Sequence, residues 1–124
     1  MRKYISIQAG DVVSIPLFGL LDHPGIVTER YTVISSSQEH GKVMEQSLKE
    51  FADGKTVSKK NQEKKFPSHT IVANARKLLG KEYDLLTFNC DHLVSLACTG
   101  KKSSDQLKKV GTCLGVLAVI AILR

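Results

Sequence analysis

At 124 residues the chain is long enough for one domain with a proper core and too short for two. Hydrophobic residues make up 42% and charged residues 24%, a globular balance that excludes a disordered or low-complexity chain. Net charge is +6, from 18 basic against 12 acidic residues, an excess that suits an anionic surface, phospholipid or nucleic acid, or simply a solvated lysine-rich face.

Three cysteines, Cys90, Cys98 and Cys113, make an odd set with no framework spacing, which argues against a disulfide scaffold. The run from Met1 to Gln8 has no apolar stretch before the turn at Gly10-Asp11, so a secretory signal is not expected. Both features favour a reducing, cytosolic setting.

In chain order, Val12-Val13-Ser14-Ile15 reads as a short β-branched strand stopped by Pro16. Phe18-Gly19-Leu20-Leu21 is an apolar loop, suited to packing or to a greasy substrate, just ahead of Asp22-His23. His23 to Thr28 reads as the start of a second strand, with His23 at its mouth, and Tyr31 to Ser35 is a third. Ser36 to Gly41 is turn material, and Lys42 to Gln46 a fourth strand, so an antiparallel meander is predicted.

Ser47-Leu48-Lys49-Glu50 matches a capping box for a short helix ended by Gly54. Thr56 to Ser58 offers a further strand, and Lys59 to Lys65 reads as a mobile polar surface loop. From Pro67-Ser68, the residues Ile71, Val72, Ala75, Leu78 and Leu79 form one apolar helical stripe closed by Gly80. The next helix opens at Asn89-Cys90, buries Leu93, Val94, Ala97 and Cys98, and ends at Thr99-Gly100. Ser103 to Gln106 is another helix start, leading into a segment that is wholly apolar from Val110 to Leu123.

Asn89-Cys90 is the stretch with the most chemistry in it. Asn89 is a good N-cap, and the N–H groups and positive dipole end of a helix favour a thiolate at Cys90. A nucleophilic cysteine needs a base, and the chain has four histidines, His23, His40, His69 and His92. His92 follows Cys90 by two residues, about 200° round the helix, and reads as a packing or hydrogen-bonding residue. His69 and His40 fall at a helix start and in a turn. His23 is the one a strand can present to a helix N-terminus packed on the sheet, the geometry of papain-type sites with the order in the chain reversed.

Asp22-His23-Pro24-Gly25-Ile26-Val27 resembles the H-box of the lecithin:retinol acyltransferase-like family, and Asn89-Cys90-Asp91-His92-Leu93-Val94 resembles its NC-box. Their order and the flanks, among them Gly10-Asp11, Ser47 to Phe51, Gly80 to Leu85 and Ser104 to Gln106, agree with the family pattern from about Ala9 to Gln106. The resemblance implies an α+β, circularly permuted papain-like (NlpC-related) fold, an antiparallel sheet packed against helices, with a catalytic domain over 1–106. It also implies a thiol acyltransferase or phospholipase A-type acylhydrolase that works on glycerophospholipids through a cysteine thioester, with Cys90 as nucleophile and His23 as base. Oxyanion donors are expected among the N–H groups at the start of the Cys90 helix. The family usually carries a second histidine about a dozen residues after the first. Here that position is Ser35, whose hydroxyl is expected to orient His23 in part, with Gln38 or His40 as substitutes if the turn folds back.

The tail, 107–124, is expected to be a hydrophobic C-terminal helix. Its uncharged Val110 to Leu123 core spans about 21 Å as a helix, short of a hydrocarbon layer of about 30 Å, with Lys108, Lys109 and Arg124 placed to snorkel. Membrane attachment through this helix is expected, with the catalytic domain in the cytoplasm and self-association through the Gly111 and Gly115 face. The partners are then a phospholipid membrane and an acyl-lipid substrate. A peptidase or amidase of the same fold and a catalytically weakened membrane-interaction module are the competing readings. No cofactor and no metal are expected, since Cys90-Asp91-His92 lacks ligand spacing. Nucleic-acid binding is not expected either, because seven aromatics without an interleaved basic stripe give little to stack bases on.

Overall fold

A computed structural model describes residues 6–17, 21–84 and 89–101. Five antiparallel strands form one sheet: β1 (Val12–Pro16), β2 (Asp22–Val27), β3 (Thr32–Ser37), β4 (Lys42–Ser47) and β5 (Ser58–Lys59), in the order β4-β3-β2-β1-β5. Three helices complete the α+β fold: α1 (Leu48–Ala52), α2 (Ser68–Lys77) and α3 (Cys90–Thr99). The expected hydrophobic C-terminal helix, with Gly111 and Gly115, lies outside the described residues.

Both faces of the sheet are covered, and the sequence carries the mark of it. Successive strand residues point to opposite faces. The doublets Val12-Val13, Ile26-Val27 and Val33-Ile34 therefore feed two cores at once. Val12, Ile26, Ile34 and Val43 pack with Ile71 and Ala75 of α2 and with Leu93, Val94, Ala97 and Cys98 of α3. Val13, Ile15, Val27 and Val33 pack with Phe51 of α1 on the other face.

Local signals set most element ends. The Ser47 side chain accepts from the Glu50 N–H while Glu50 accepts from the Ser47 N–H, the reciprocal box expected for α1. In α2, Ile71, Val72 and Ala75 are buried and Leu78 packs against the core, but Leu79 is 42% exposed. The helix stops at Lys77, so its periodicity no longer governs Leu79.

Three local features differ from expectation. β3 runs on through Ser36 and Ser37, which pair with Val43 and Lys42 of β4 rather than forming a turn. β5 falls at Ser58–Lys59, not Thr56 to Ser58, because its register is set by pairing with Val13 and Ser14 of β1. The lysine-rich loop is tied down: the Lys60 N–H donates to Val12 O at 2.8 Å and the Lys65 N–H to Cys98 O at 2.8 Å. Lys59 and Lys64 also flank the Asp11 carboxylate at 3.4 and 3.6 Å. Acidic partners on distant elements hold this run, and composition does not place them.

Pro24 sits inside an interior strand, where a missing N–H needs an explanation. Val27 exchanges hydrogen bonds with Gly10 and Asp11 on the β1 side. Alternation along the strand then turns Pro24 and Ile26 toward β3. The β2–β3 pairing consists of Ile26↔Ile34 and Val27↔Val33 and goes no further. Beyond it β3 stays paired to β4 as far as Ser37↔Lys42. The proline thus ends the ladder where it has nothing to donate, and His23 and Ser36-Ser37 come to line an open space.

Candidate active site

Cys90 is the first residue of α3 and is buried. Asn89 caps the helix, its Oδ1 accepting from the N–H of Asp91 at 2.9 Å and of His92 at 3.1 Å. In return the Asn89 N–H donates to His92 Nδ1 at 3.0 Å. This is a capping box with histidine in the place of the usual Glu or Gln. It gives His92 the hydrogen-bonding role expected of it and fixes Cys90 at the positive end of the helix dipole.

His23 is carried by β2 and stacks on Phe51, with ring centroids 5.3 Å apart and planes at 28°. Gly25, two residues on and on the same face, makes room for this packing. A Cβ there would lie 2.4 Å from Val33 Cγ1 and 3.1 Å from Phe51 Cε1. Burial pushes the imidazole down from 6.5 to about 4; the Asp22 carboxylate pulls it back up and the Lys55 ammonium pushes it further down. His23 is therefore neutral at pH 7.

Cys90 and His23 line one cavity of about 470 Å³. Ile15, Leu17 and Phe51 supply apolar wall, and Ser36, Ser37 and Tyr83 supply hydroxyls. Burial and the nearby Cys90, Asp84 and Asp91 raise the Tyr83 phenol well above its usual range, so it remains an O–H donor.

Ser35 is fully buried, its Oγ has no hydrogen-bond partner among the described residues, and it is not part of the cavity wall. The hydrogen bond expected from Ser35 to His23 is not formed. Gln38 and His40 do line the cavity. The His40 N–H donates to Ser37 Oγ at 3.1 Å, and the same hydroxyl is 3.0 Å from His40 Nδ1.

Lys60 connects the two halves of the site. Its Nζ is 3.0 Å from Asp22 Oδ1, beside His23, and 3.8 Å from Asp91 Oδ1, beside Cys90. Cys98 is packed in the core, where burial pushes its thiol up to about 11.

The sequence pattern of the lecithin retinol acyltransferase family matches residues 5–103. The chain belongs to that family. Membership of the lecithin retinol acyltransferase family points to acyltransferase or phospholipase-type activity in general terms. No individual curated protein matches the chain. Among the described residues, no helix is long and apolar enough to cross a membrane and no group of three or more His, Cys, Asp or Glu is arranged to hold a metal ion.

Sequence reasoning did not find Phe51, Tyr83, Ser36 or Ser37 as residues of the cavity wall, or Lys60 between Asp22 and Asp91. For Phe51 a signal was present: a glycine two residues past a strand histidine marks a close approach on that face. Lys60 carries no such mark, being one lysine in a run of polar residues.

Proposed function

We propose that the chain is a thiol-dependent acyltransferase or acylhydrolase of glycerophospholipids, with Cys90 as nucleophile and His23 as base. The observation that carries this reading is that a capped, helix-opening cysteine and a strand-borne histidine share one cavity with an apolar wall. The order of the two residues in the chain, with the antiparallel sheet and flanking helices, supports the circularly permuted papain-like arrangement.

In the first step Cys90 Sγ attacks the ester carbonyl carbon as His23 takes the thiol proton. The tetrahedral oxyanion collapses, the carbon–oxygen bond to glycerol breaks, and the departing oxygen recovers the proton from His23. A thioester on Cys90 remains. Water, an amine or an alcohol then attacks it, giving its proton to His23, which returns it to the Cys90 sulfur. Because His23 rests neutral, its base form is the resting form, ready to take the thiol proton.

The Asn89 side chain engages the amides of Asp91 and His92. The Cys90 amide, at the first position of α3, is the helix-terminal donor assigned to the oxyanion, with the Tyr83 hydroxyl as a second donor in the same cavity. Stacking on Phe51 takes over the orienting task that the family gives to a second histidine. The segment 107–124 serves as a lipid-inserting anchor that keeps the catalytic domain, 1–106, on the cytoplasmic face of the membrane.

The test is fatty-acid release, and acyl transfer to an added amine, from phosphatidylcholine vesicles. Wild type is expected to turn over, and Cys90→Ser and His23→Gln to lose all but background. Turnover that persists in Cys90→Ser overturns the proposal, and cleavage of peptide amides with none of lipid esters replaces it with an amidase.

A further inference from the structure

The two reacting residues belong to elements far apart in the chain, and each is followed or preceded by an aspartate. Asp22 precedes His23 on β2, and Asp91 follows Cys90 on α3. Two carboxylates flanking one site repel each other and need a cation between them. Lys60 is that cation, 3.0 Å from Asp22 Oδ1 and 3.8 Å from Asp91 Oδ1.

It is not an ordinary surface lysine. Its backbone is pinned, the N–H donating to Val12 O at 2.8 Å as the β1–β5 pairing runs out. Its side chain is 23% exposed, and those of Asp22 and Asp91 are 29% and 8% exposed. Charges so placed are screened less than surface pairs, and removing one member leaves the others in a poor environment.

We propose that Lys60 is a positioning residue of the site, its ammonium clamping Asp22 of β2 to Asp91 of α3 and so holding His23 and Cys90 in register. This rests on the reading of Cys90 and His23 as the reacting pair. The clamp acts in two ways. It fixes the strand against the helix start, and it offsets the negative charge of Asp91 beside the thiol, which otherwise disfavours a thiolate.

The charged and titratable groups around the pair come from every neighbouring element. Tyr83 and Asp84 precede α3, and Asp91 and His92 lie in its first turn. Asp22 is on β2. Glu50, Asp53 and Lys55 come from α1 and its exit, and Glu39 and His40 from the β3–β4 turn. Lys60 is the cation that bridges two of these elements.

The experiment uses the full chain and measures the Cys90 alkylation rate against pH, the steady-state kinetics on phosphatidylcholine vesicles, and the melting temperature. In Lys60→Met the alkylation midpoint is expected to rise by about one pH unit, a loss of about tenfold in rate below the midpoint. kcat falls with it while KM stays, since the lysine does not touch substrate. Lys60→Arg restores both, and adding Asp91→Asn to Lys60→Met brings the midpoint back toward wild type by removing the charge that the lysine offset. A lysine that only stabilises the fold lowers the melting temperature and leaves the midpoint alone. That outcome, or a failure of both Lys60→Arg and the double variant to restore the midpoint, overturns the proposal. Absence of lipid turnover in wild type is a failure of the catalytic reading instead, and the alkylation profile still decides the role of Lys60.

Discussion

Gly25→Ala is the substitution whose cost the structure defines most closely. The added methyl lies 2.4 Å from Val33 Cγ1, and 3.1 Å from both Ile34 O and Phe51 Cε1. Carbon atoms in contact sit about 3.5–4.0 Å apart, so the Val33 overlap exceeds 1 Å by a rough estimate. Ile34 O belongs to the backbone of the neighbouring strand, and Phe51 is packed in the core with Val13, Ile15, Val27 and Val33, so neither has room to give. Overpacking of this kind costs about 1–3 kcal/mol, and the upper end applies here. For a domain of this size that is a drop of about 10 °C in Tm by differential scanning calorimetry. Val33→Ala removes the worst contact, so the double variant is expected to recover at least about 1 kcal/mol relative to the sum of the singles. Because Phe51 also stacks on His23, Gly25→Ala lowers activity even where the protein is folded. A Gly25→Ala protein that melts within about 2 °C of wild type refutes the packing described for this face.

Three further outcomes follow from the site. Ser35→Ala removes a buried hydroxyl with no partner among the described residues, so urea unfolding is expected to show unchanged or slightly raised stability, and lipid turnover should hold within about twofold; a severe loss of turnover restores Ser35 as the orienting group. His23 has a folded pKa of about 4 against 6.5 unfolded, so the unfolded chain binds more protons between those values. Stability should therefore fall as pH drops from 6.5 toward 4, by about 2 kcal/mol once solvent screening is allowed for, and not change through this group above 6.5. His23→Gln should flatten that slope, and an identical slope in the variant contradicts the burial of the imidazole. Burial holds the Cys98 thiol up at about 11, so iodoacetamide at pH 7 followed by peptide mapping should find Cys90 modified and Cys98 intact; the reverse pattern refutes the assignment of the reactive thiol.

Much of the fold was legible in the sequence because its signals are local. The β-branched doublets gave the strands, Ser47 to Glu50 gave α1 its start, and Asn89 and Gly100 marked the two ends of α3. The order of two boxes singled out Cys90 and His23, which line one cavity in the fold. What escaped was set by tertiary contact. Ser36 and Ser37 read as turn residues until β4 pairs with them, and Lys60 reads as one solvated lysine until Asp22 and Asp91 come to it. Ser35 was expected at the imidazole because the family pattern places a second histidine at that position; the pattern cannot say that the hydroxyl ends up buried with no hydrogen-bond partner among the described residues.

The central claim is that the Cys90 sulfur carries the acyl group. Intact mass spectrometry of the full chain after brief incubation with phosphatidylcholine vesicles, quenched in acid, tests it most directly. One added acyl chain is expected, lost on treatment with neutral hydroxylamine, mapping to Cys90, and missing in Cys90→Ala. Turnover of lipid with no such adduct under any quench, or an adduct that persists in Cys90→Ala, contradicts it.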